Sequence, residues 1–192
     1  QATVSWTAPS DNGSSLGTYT VTSDPGGLTA TVPGYQTSIT FIELTNGTAY
    51  TFTVTATNGI GEGPASDASN SVTPAGVPFA PTAVIVSRGS ESAGVEWTAP
   101  SDNGSAITAY TVTSDPEGLT ATTTGDTITV VTGLTNGTTY TFTVTATNYF
   151  GESPASTASA PVTPAGVPFA PTAVVVSRGS ESAGVEWTAP SD

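Results

Sequence analysis

The sequence predicts an all-β protein made of tandem seven-stranded β-sandwich modules. Its 39 Thr and 22 Ser, with Val, Tyr and Phe, favour pleated strands, while 21 Gly and 15 Pro supply turns. The phrase Trp-Thr-Ala-Pro-Ser-Asp also occurs three times, beginning at Trp6, Trp97 and Trp187. The copies lie 91 and 90 residues apart, a period that matches a whole small domain and is too long for one solenoid unit.

The repeat divides the chain into one complete module and two partial ones. Residues 1–75 correspond to a module without its first strand, residues 76–166 to a complete module, and residues 167–192 to the first two strands of a third. Half a sandwich cannot bury its apolar face. We therefore interpret the chain as a window of a longer array.

The first two strands of the complete module alternate between apolar and polar residues. Thr82–Ser87 places Val84 and Val86 on one face, and Ala93–Thr98 turns Trp97 inward. Both strands are therefore expected to line the core.

A long segment recurs almost unchanged. Residues 74–102 return as residues 164–192, and the only difference is that Ile85 becomes Val175. Because Ile85 is predicted to face outward, this exchange leaves the expected core intact.

The middle of the module contains three more short strands. Ile107–Thr113, Leu119–Thr123 and Thr127–Val131 are separated by sequences rich in Asp, Gly and Pro. The register of the third is ambiguous, because Val130 and Val131 follow one another without alternation.

The longest strand is predicted at Thr139–Asn148. Apolar residues alternate strictly with Thr from Tyr140 to Thr147, which is the strongest period-two signal in the chain. A loop follows, and the seventh strand is predicted at Ala158–Val162. Seven short strands with turns between them are typical of a β-sandwich.

Several motifs of the complete module resemble one known family. They are Pro81-Thr-Ala-Val, Val95-Glu-Trp-Thr-Ala-Pro, Ile107-Thr-Ala-Tyr-Thr-Val, Leu134-Thr-Asn-Gly-Thr-Thr-Tyr-Thr-Phe-Thr-Val-Thr-Ala-Thr-Asn and Gly151-Glu-Ser-Pro. With these motifs the chain resembles the fibronectin type III family, an immunoglobulin-like sandwich, in the Thr-rich form of bacterial secreted and surface proteins.

The resemblance implies two structural roles. One is the tryptophan of the core; the other is the tyrosine corner, whose phenol hydroxyl bonds back to the backbone of the preceding connection. The core tryptophans are expected at Trp6, Trp97 and Trp187, and the corner residues at Leu44, Tyr50, Leu134 and Tyr140.

The residue inventory argues against catalysis. The chain has no His and no Cys, so no ordinary base is available to activate its many Ser hydroxyls. Asp11, Asp24, Asp102 and Asp115 lie in loops beside Asn, Ser and Gly, where calcium ligation is one interpretation and turn stabilisation is the favoured one. We predict a non-enzyme with no catalytic residue, no metal site and no cofactor.

The charge balance limits the partners. A net charge of −13, with Arg88 and Arg178 as the only cationic side chains, disfavours nucleic acid and anionic lipid. No stretch of 18 apolar residues is present for membrane insertion. The expected partners are neighbouring modules or copies of the chain itself, with surface glycans or proteins as an alternative.

Two sets of aromatic residues are candidates for interaction. Tyr149 and Phe150 occupy a loop where the earlier copy has Gly and Ile, and we expect them to pack on a neighbouring module or to bind a ligand. Phe79 and Phe169 lie in identical linkers with three Pro in eight residues, where they are expected to be apolar anchors. Identical joints predict a regular rod or helix of modules.

The function expected from these features is structural. The chain is interpreted as a spacer, stalk or filament-forming segment of a microbial surface, located extracellularly. The alternative is an adhesive or carbohydrate-associated module, such as an accessory region of a secreted polysaccharide-degrading enzyme.

Overall fold

A computed structural model describes residues 1–190, and within that range all of its regular elements are β-strands. None of the described residues belongs to a helix able to cross a membrane. The chain forms two compact units. The first comprises residues 1–78 with the loops 101–106 and 148–151, and the second comprises the remaining described residues from 79 onward.

The first unit contains five strands in two sheets. In chain order they are β1 (Ala2–Ser5), β2 (Leu16–Asp24), β3 (Thr29–Pro33), β4 (Ser38–Phe41) and β5 (Thr51–Asn58). Strand β1 pairs with β4, and the other sheet has the order β3-β2-β5, with all pairs antiparallel.

The second unit contains a more complete sandwich and a separate hairpin. Its strands are β6 (Thr82–Arg88), β7 (Ser92–Thr98), β8 (Ala109–Asp115), β9 (Thr120–Thr123), β10 (Ile128–Thr132), β11 (Thr141–Asn148), β12 (Gly151–Glu152), β13 (Thr172–Arg178) and β14 (Ala183–Thr188). One sheet has the order β10-β7-β6 and the other β12-β11-β8-β9, while β13 pairs with β14. The predicted all-β tandem sandwich is confirmed.

The inner faces of the two sheets meet in one core per sandwich. In β11 the burial alternates without exception: the four Thr residues are half-buried, and Phe142, Val144, Ala146 and Asn148 are buried. In the first sandwich the corresponding core is smaller and includes Val21, Phe41 and Phe52. The core of the second sandwich comprises Ala93, Val95, Trp97, Tyr110, Val112, Val131, Leu134, Tyr140, Phe142, Val144 and Ala146.

The structure resolves the ambiguous register and shifts one predicted strand. Val131 is buried and lies opposite Ala93, whereas Ile128 and Val130 are exposed. The third strand runs over Ala109–Asp115, two residues later than predicted. The difference arises because the pairing with β11 ends at Ala109.

The predicted seventh strand, Ala158–Val162, is wrong as a regular strand. Val162 makes only an isolated bridge with Tyr140. The segment from Ser153 to Val162 still lies beside β11, but only every third residue pairs with it. Three residues of the segment therefore correspond to two residues of β11. The segment has one extra residue at each step, as in a repeated β-bulge.

Three buried serines hold this segment in place, and we call Ser153, Ser156 and Ser159 the serine ladder. The backbone N–H of Ser156 donates to Val144 O at 2.9 Å, and Ser156 Oγ accepts from Val144 N at 3.0 Å. The other two serines bond in the same way to β11 residues two positions to either side. Each hydroxyl then donates to the carbonyl of the next residue in its own segment.

The hairpin β13–β14 has the same sequence as β6–β7 apart from Val175, but a different environment. In the described part of the chain its two strands pair only with each other. Every residue of both strands is exposed. The hairpin thus presents an uncovered apolar face.

Candidate functional site

The three tryptophans occupy three different environments. Trp97 is 4% exposed and packs against Tyr110 with ring centroids 5.2 Å apart. Trp6 is half-buried and contacts Tyr19 at the same centroid distance. Trp187 is 59% exposed, so the expected core position does not hold for it here. The reason is that β14 has no second sheet to pack against within residues 1–190.

Both expected tyrosine corners have the predicted hydrogen bond. Tyr50 Oη accepts from Thr45 N at 3.2 Å, and Tyr140 Oη accepts from Thr135 N at 3.1 Å. Tyr140 Oη also donates to Glu117 Oε2 at 2.9 Å. Leu44 and Leu134, the leucines of the two corners, are buried at 8% and 2% exposure.

The carboxylates of the described residues do not gather into a metal-binding group. Within residues 1–190 there is no cluster of three or more metal-ligating side chains of the Asp, Glu, His or Cys type. Asp11 Oδ1 accepts from Gly13 N at 3.1 Å, and Asp102 Oδ1 accepts from Gly104 N at 3.0 Å. These two side chains therefore stabilise turns.

An exposed aromatic pair stands in the loop after β11. Tyr149 is 88% exposed and Phe150 is 53% exposed, and their rings meet edge to face at 5.4 Å. Asn148 Oδ1 fixes the loop by accepting from Phe150 N at 2.8 Å. The equivalent Ile60 of the first sandwich is 89% exposed. Both loops thus present an apolar side chain to solvent.

The linker phenylalanines are not buried anchors. Phe79 is 60% exposed and Phe169 is 77% exposed. The buried side chains around Phe79 are instead Pro78 and Pro81, each under 2% exposed. The rigid rings of Pro thus take the packing positions that sequence reasoning assigned to the phenyl group.

The first linker is bound by two asparagines of the loops in its own unit. Asn148, which is 4% exposed, donates through Nδ2 to Gly76 O at 2.8 Å and also to two carbonyls of the 101–106 loop. Asn103 Nδ2 donates to Val77 O at 2.9 Å, and Asn103 O accepts from Gly76 N at 3.1 Å. Residues 76 and 77 are therefore held by a short strand-like set of hydrogen bonds.

The corresponding place in the first sandwich is an open groove of about 540 Å³, which we call the loop groove. Asn58 there donates through Nδ2 to Asp11 O and Ser14 O, both at 3.3 Å, as Asn148 does to its own loop. Asn12, the equivalent of Asn103, is exposed. The loop groove is lined by residues that include Pro9, Asp11, Asn12, Leu16, Asn58 and Ile60.

Sequence reasoning missed the serine ladder and the linker asparagines. A Ser at every third position from 153 to 159 was visible as a pattern, yet it matches neither the period of a strand nor that of a helix. Asn103 stands in an Asn-Gly pair that is typical of a turn, and Asn148 is simply the last residue of a predicted strand. Their binding role depends on the loop conformation, in which Asn103 has a φ of 54°.

Three comparisons relate the chain to known proteins. The family model described as the fibronectin type III domain matches residues 1–72 and 79–162. Chitinase A1 of Niallia circulans is 38% identical over 159 residues, covering 78% of this chain and 22% of the relative. The chain thus spans about a fifth of that relative's length. The solved FN1–FN3 domains of chicken CNTN1 match 96% of this chain and 69% of that one, with 24% identity and a TM-score of 0.53.

Proposed function

We propose that the chain acts as a spacer within a secreted microbial protein. The chain belongs to the fibronectin type III domain family. Domains of this family are generally non-catalytic modules. The observation that carries the proposal is the similarity to a protein named as a chitinase. The matched part makes up only 22% of that protein's length. On this basis the chain's role is to separate other domains of an extracellular protein.

The exterior of the sandwiches fits this role. The exposed and half-buried faces of the strands are dominated by Thr, which is polar but uncharged. These Thr faces stay hydrated, and the net charge of −13 repels polyanions. A spacer benefits from this because it must hold its position beside a substrate without adhering to it.

The spacer role is tested in a two-domain enzyme acting on insoluble chitin. The chain is placed between a chitin-binding domain and a catalytic domain, and the control carries a Gly/Ser linker of equal residue number. We expect faster hydrolysis of insoluble chitin with the folded spacer and equal rates on a soluble oligosaccharide. Equal rates on both substrates would contradict the proposal.

An adhesive role is the second candidate, and the aromatic pair favours it. Tyr149 and Phe150 are the most conspicuous exposed aromatic contact of the described residues, and aromatic side chains are enriched at binding surfaces. Surface glycans or proteins are the partners that this loop would serve.

The adhesive role is tested by sedimentation with insoluble polysaccharides and by screening on a glycan array. The double variant Tyr149→Ala/Phe150→Ala should lose any binding, whereas Ile60→Ala in the equivalent loop of the first sandwich should retain it. If the unmodified chain binds nothing in either assay, the spacer role stands alone.

A further inference from the structure

We propose that Asn103 is a site of spontaneous deamidation, which occurs when the first linker detaches and makes the detachment permanent. Asn103 and Asn148 hold residues 76 and 77 through a set of hydrogen bonds that we call the linker clasp. All of these residues belong to the first compact unit and lie well inside the sequence. The inference concerns the chemistry of the linker and does not depend on the spacer role.

The reaction needs only the chain and water. The Gly104 nitrogen loses its proton to a solvent base and attacks Asn103 Cγ. The new C–N bond closes a succinimide ring, while the bond from Cγ to Nδ2 breaks and that nitrogen leaves as ammonia, taking a proton from water. A second water then opens the ring at either carbonyl. The product at position 103 is an aspartate or an isoaspartate, and this chemistry makes asparagine a thermolabile residue.

The fold requires a glycine after Asn103. Gly104 has a φ of 88°, and an added Cβ would lie 2.6 Å from Pro74 O and 2.7 Å from Gly47 N. Backbone atoms cannot yield as the end of a flexible side chain does, so a larger residue is excluded. Glycine is also the residue that least hinders ring closure, because no side chain shields its nitrogen. Packing therefore keeps a reactive Asn-Gly pair at this place.

The backbone and the clasp also select asparagine at position 103. Its φ of 54° is left-handed, a conformation that Asn adopts more readily than most residues. Asn103 Nδ2 donates to Val77 O at 2.9 Å. An ionised aspartate tolerates the same φ but has no hydrogen to donate. The residue that can deamidate is thus the residue on which the clasp depends.

Two further contacts slow the reaction while the clasp is closed. Gly104 N donates to Asp102 Oδ1 at 3.0 Å, and a negatively charged acceptor disfavours loss of that proton. Asn103 O accepts from Gly76 N at 3.1 Å, which fixes the backbone of Asn103 in one conformation. Ring closure requires rotation of this backbone and of the side chain that Val77 O holds. Deamidation therefore proceeds through local opening of the clasp.

The product cannot rebuild the clasp. A carboxylate at position 103 faces the Val77 carbonyl without a hydrogen to donate, so two acceptors repel each other. In isoaspartate the main chain also runs through the former side chain, which displaces the carbonyl that accepts from Gly76 N. The bond from Asn148 to Gly76 O then remains alone. A transient opening of the linker is thus converted into a lasting one.

The first measurement is the deamidation rate of Asn103 in the full chain. The chain is incubated at mildly alkaline pH, where loss of the Gly104 proton is favoured, and its peptides are analysed by liquid chromatography and mass spectrometry. A synthetic peptide of residues 101–106 has the same sequence without the clasp and serves as the reference. We expect Asn103 to react at least about tenfold more slowly in the chain than in the peptide.

Gly76→Ala opens the clasp with a small change. An added Cβ at Gly76 would lie 3.0 Å from Asn103 Nδ2, closer than ordinary van der Waals contact, so the amide must move. We expect deamidation of Asn103 to become about tenfold faster, approaching the rate in the peptide. Val77→Ala is the matched control, because it alters the adjacent side chain and keeps the carbonyl that accepts from Asn103.

Asn148→Ala opens the clasp in a second, independent way. It removes the Nδ2 donor to Gly76 O and should also accelerate the reaction at Asn103. The Asn136-Gly137 pair is the internal reference in every variant, because Asn136 Oδ1 accepts from Glu91 N within the second unit. The rate at Asn136 should stay the same, whereas a general loss of structure would raise both rates.

Release of the linker is measured on the modified protein. The product carries one more negative charge, so anion-exchange chromatography separates it from the unmodified chain. Hydrogen exchange at the Gly76 amide should be at least about tenfold faster in the product, because that N–H has lost its acceptor. The Phe142 amide in β11 should exchange at an unchanged rate.

Two kinds of result would overturn the proposal. If Asn103 reacts as fast in the chain as in the peptide, stays equally slow in both clasp variants, or accelerates only together with Asn136, the clasp does not control the reaction. If the deamidated chain keeps the Gly76 amide protected, the modification does not release the linker.

Discussion

Ser156 alone satisfies both backbone groups of Val144, through an N–H to carbonyl bond of 2.9 Å and an Oγ to N–H bond of 3.0 Å. In a regular antiparallel strand the opposing residue would accept the Val144 N–H with its own backbone carbonyl. The serine hydroxyl thus replaces the backbone carbonyl that the bulged segment turns away from β11.

We expect Ser156→Ala to lower the free energy of unfolding of the second sandwich by about 1–3 kcal/mol, because it leaves the buried Val144 N–H without a partner. Urea denaturation measures the loss, and hydrogen exchange should accelerate at the Val144 amide. Thr157→Ala, at the exposed neighbouring position, is the control and should leave both unchanged.

The two tyrosine corners are predicted to differ in strength. Tyr140→Phe removes the hydroxyl that accepts from Thr135 N and donates to Glu117, and should cost about 1–3 kcal/mol of unfolding free energy. Tyr50→Phe loses only the bond from Thr45 N, so it should cost less. Equal losses in urea denaturation would show that the Glu117 bond contributes nothing.

Stability should fall at alkaline pH through Tyr110. Burial raises the pKa of this phenol above its usual value of 10.0. The folded state therefore keeps the Tyr110 proton to higher pH than the unfolded state does. The stabilisation that Tyr110 gives the folded state is complete below pH 10.0, and it is lost as pH rises through the raised pKa. Unfolding free energies measured between neutral pH and the alkaline range should decline less steeply for Tyr110→Phe.

Identical sequences around two tryptophans should give opposite responses to truncation. Trp97→Ala should cost about 3–5 kcal/mol, because it empties a packed core position. Trp187→Ala, at 59% exposure, should change the unfolding free energy by less than about 0.5 kcal/mol in dilute protein. Circular dichroism during urea denaturation measures both. Acrylamide should quench the fluorescence of Trp187 far more than that of Trp97.

The sequence was sufficient to predict the fold because its alternation is strong and repeated. Thr and apolar residues alternate from Thr141 to Thr147, and the burial follows that alternation at each of these positions. The tyrosine corner was equally accessible, since the spacing of Leu134 and Tyr140 belongs to a known family pattern. The hydrogen bond from Thr135 N to Tyr140 Oη then matched the expectation.

Other features depend on surroundings that residue patterns do not encode. Trp97 and Trp187 have the same neighbours in sequence, so only the presence or absence of a facing sheet separates a buried ring from an exposed one. Phe79 was expected to be buried because it is apolar, but Pro78 and Pro81 fit the packed positions. The loop groove forms where residues around 9–16 meet residues around 56–64. A residue pattern does not show that these two distant loops come together.

The serine ladder segment places three residues beside every two residues of β11. This mismatch affects which strands can pair while a repetitive protein folds. A regular strand from an adjacent, nearly identical copy finds no continuous row of matching donors there, and Pro154 and Pro161 remove two N–H groups outright. This edge therefore disfavours strand pairing between the wrong modules while newly made copies fold. Duplication can lengthen the protein without each added copy bringing another misfolding hazard at that border.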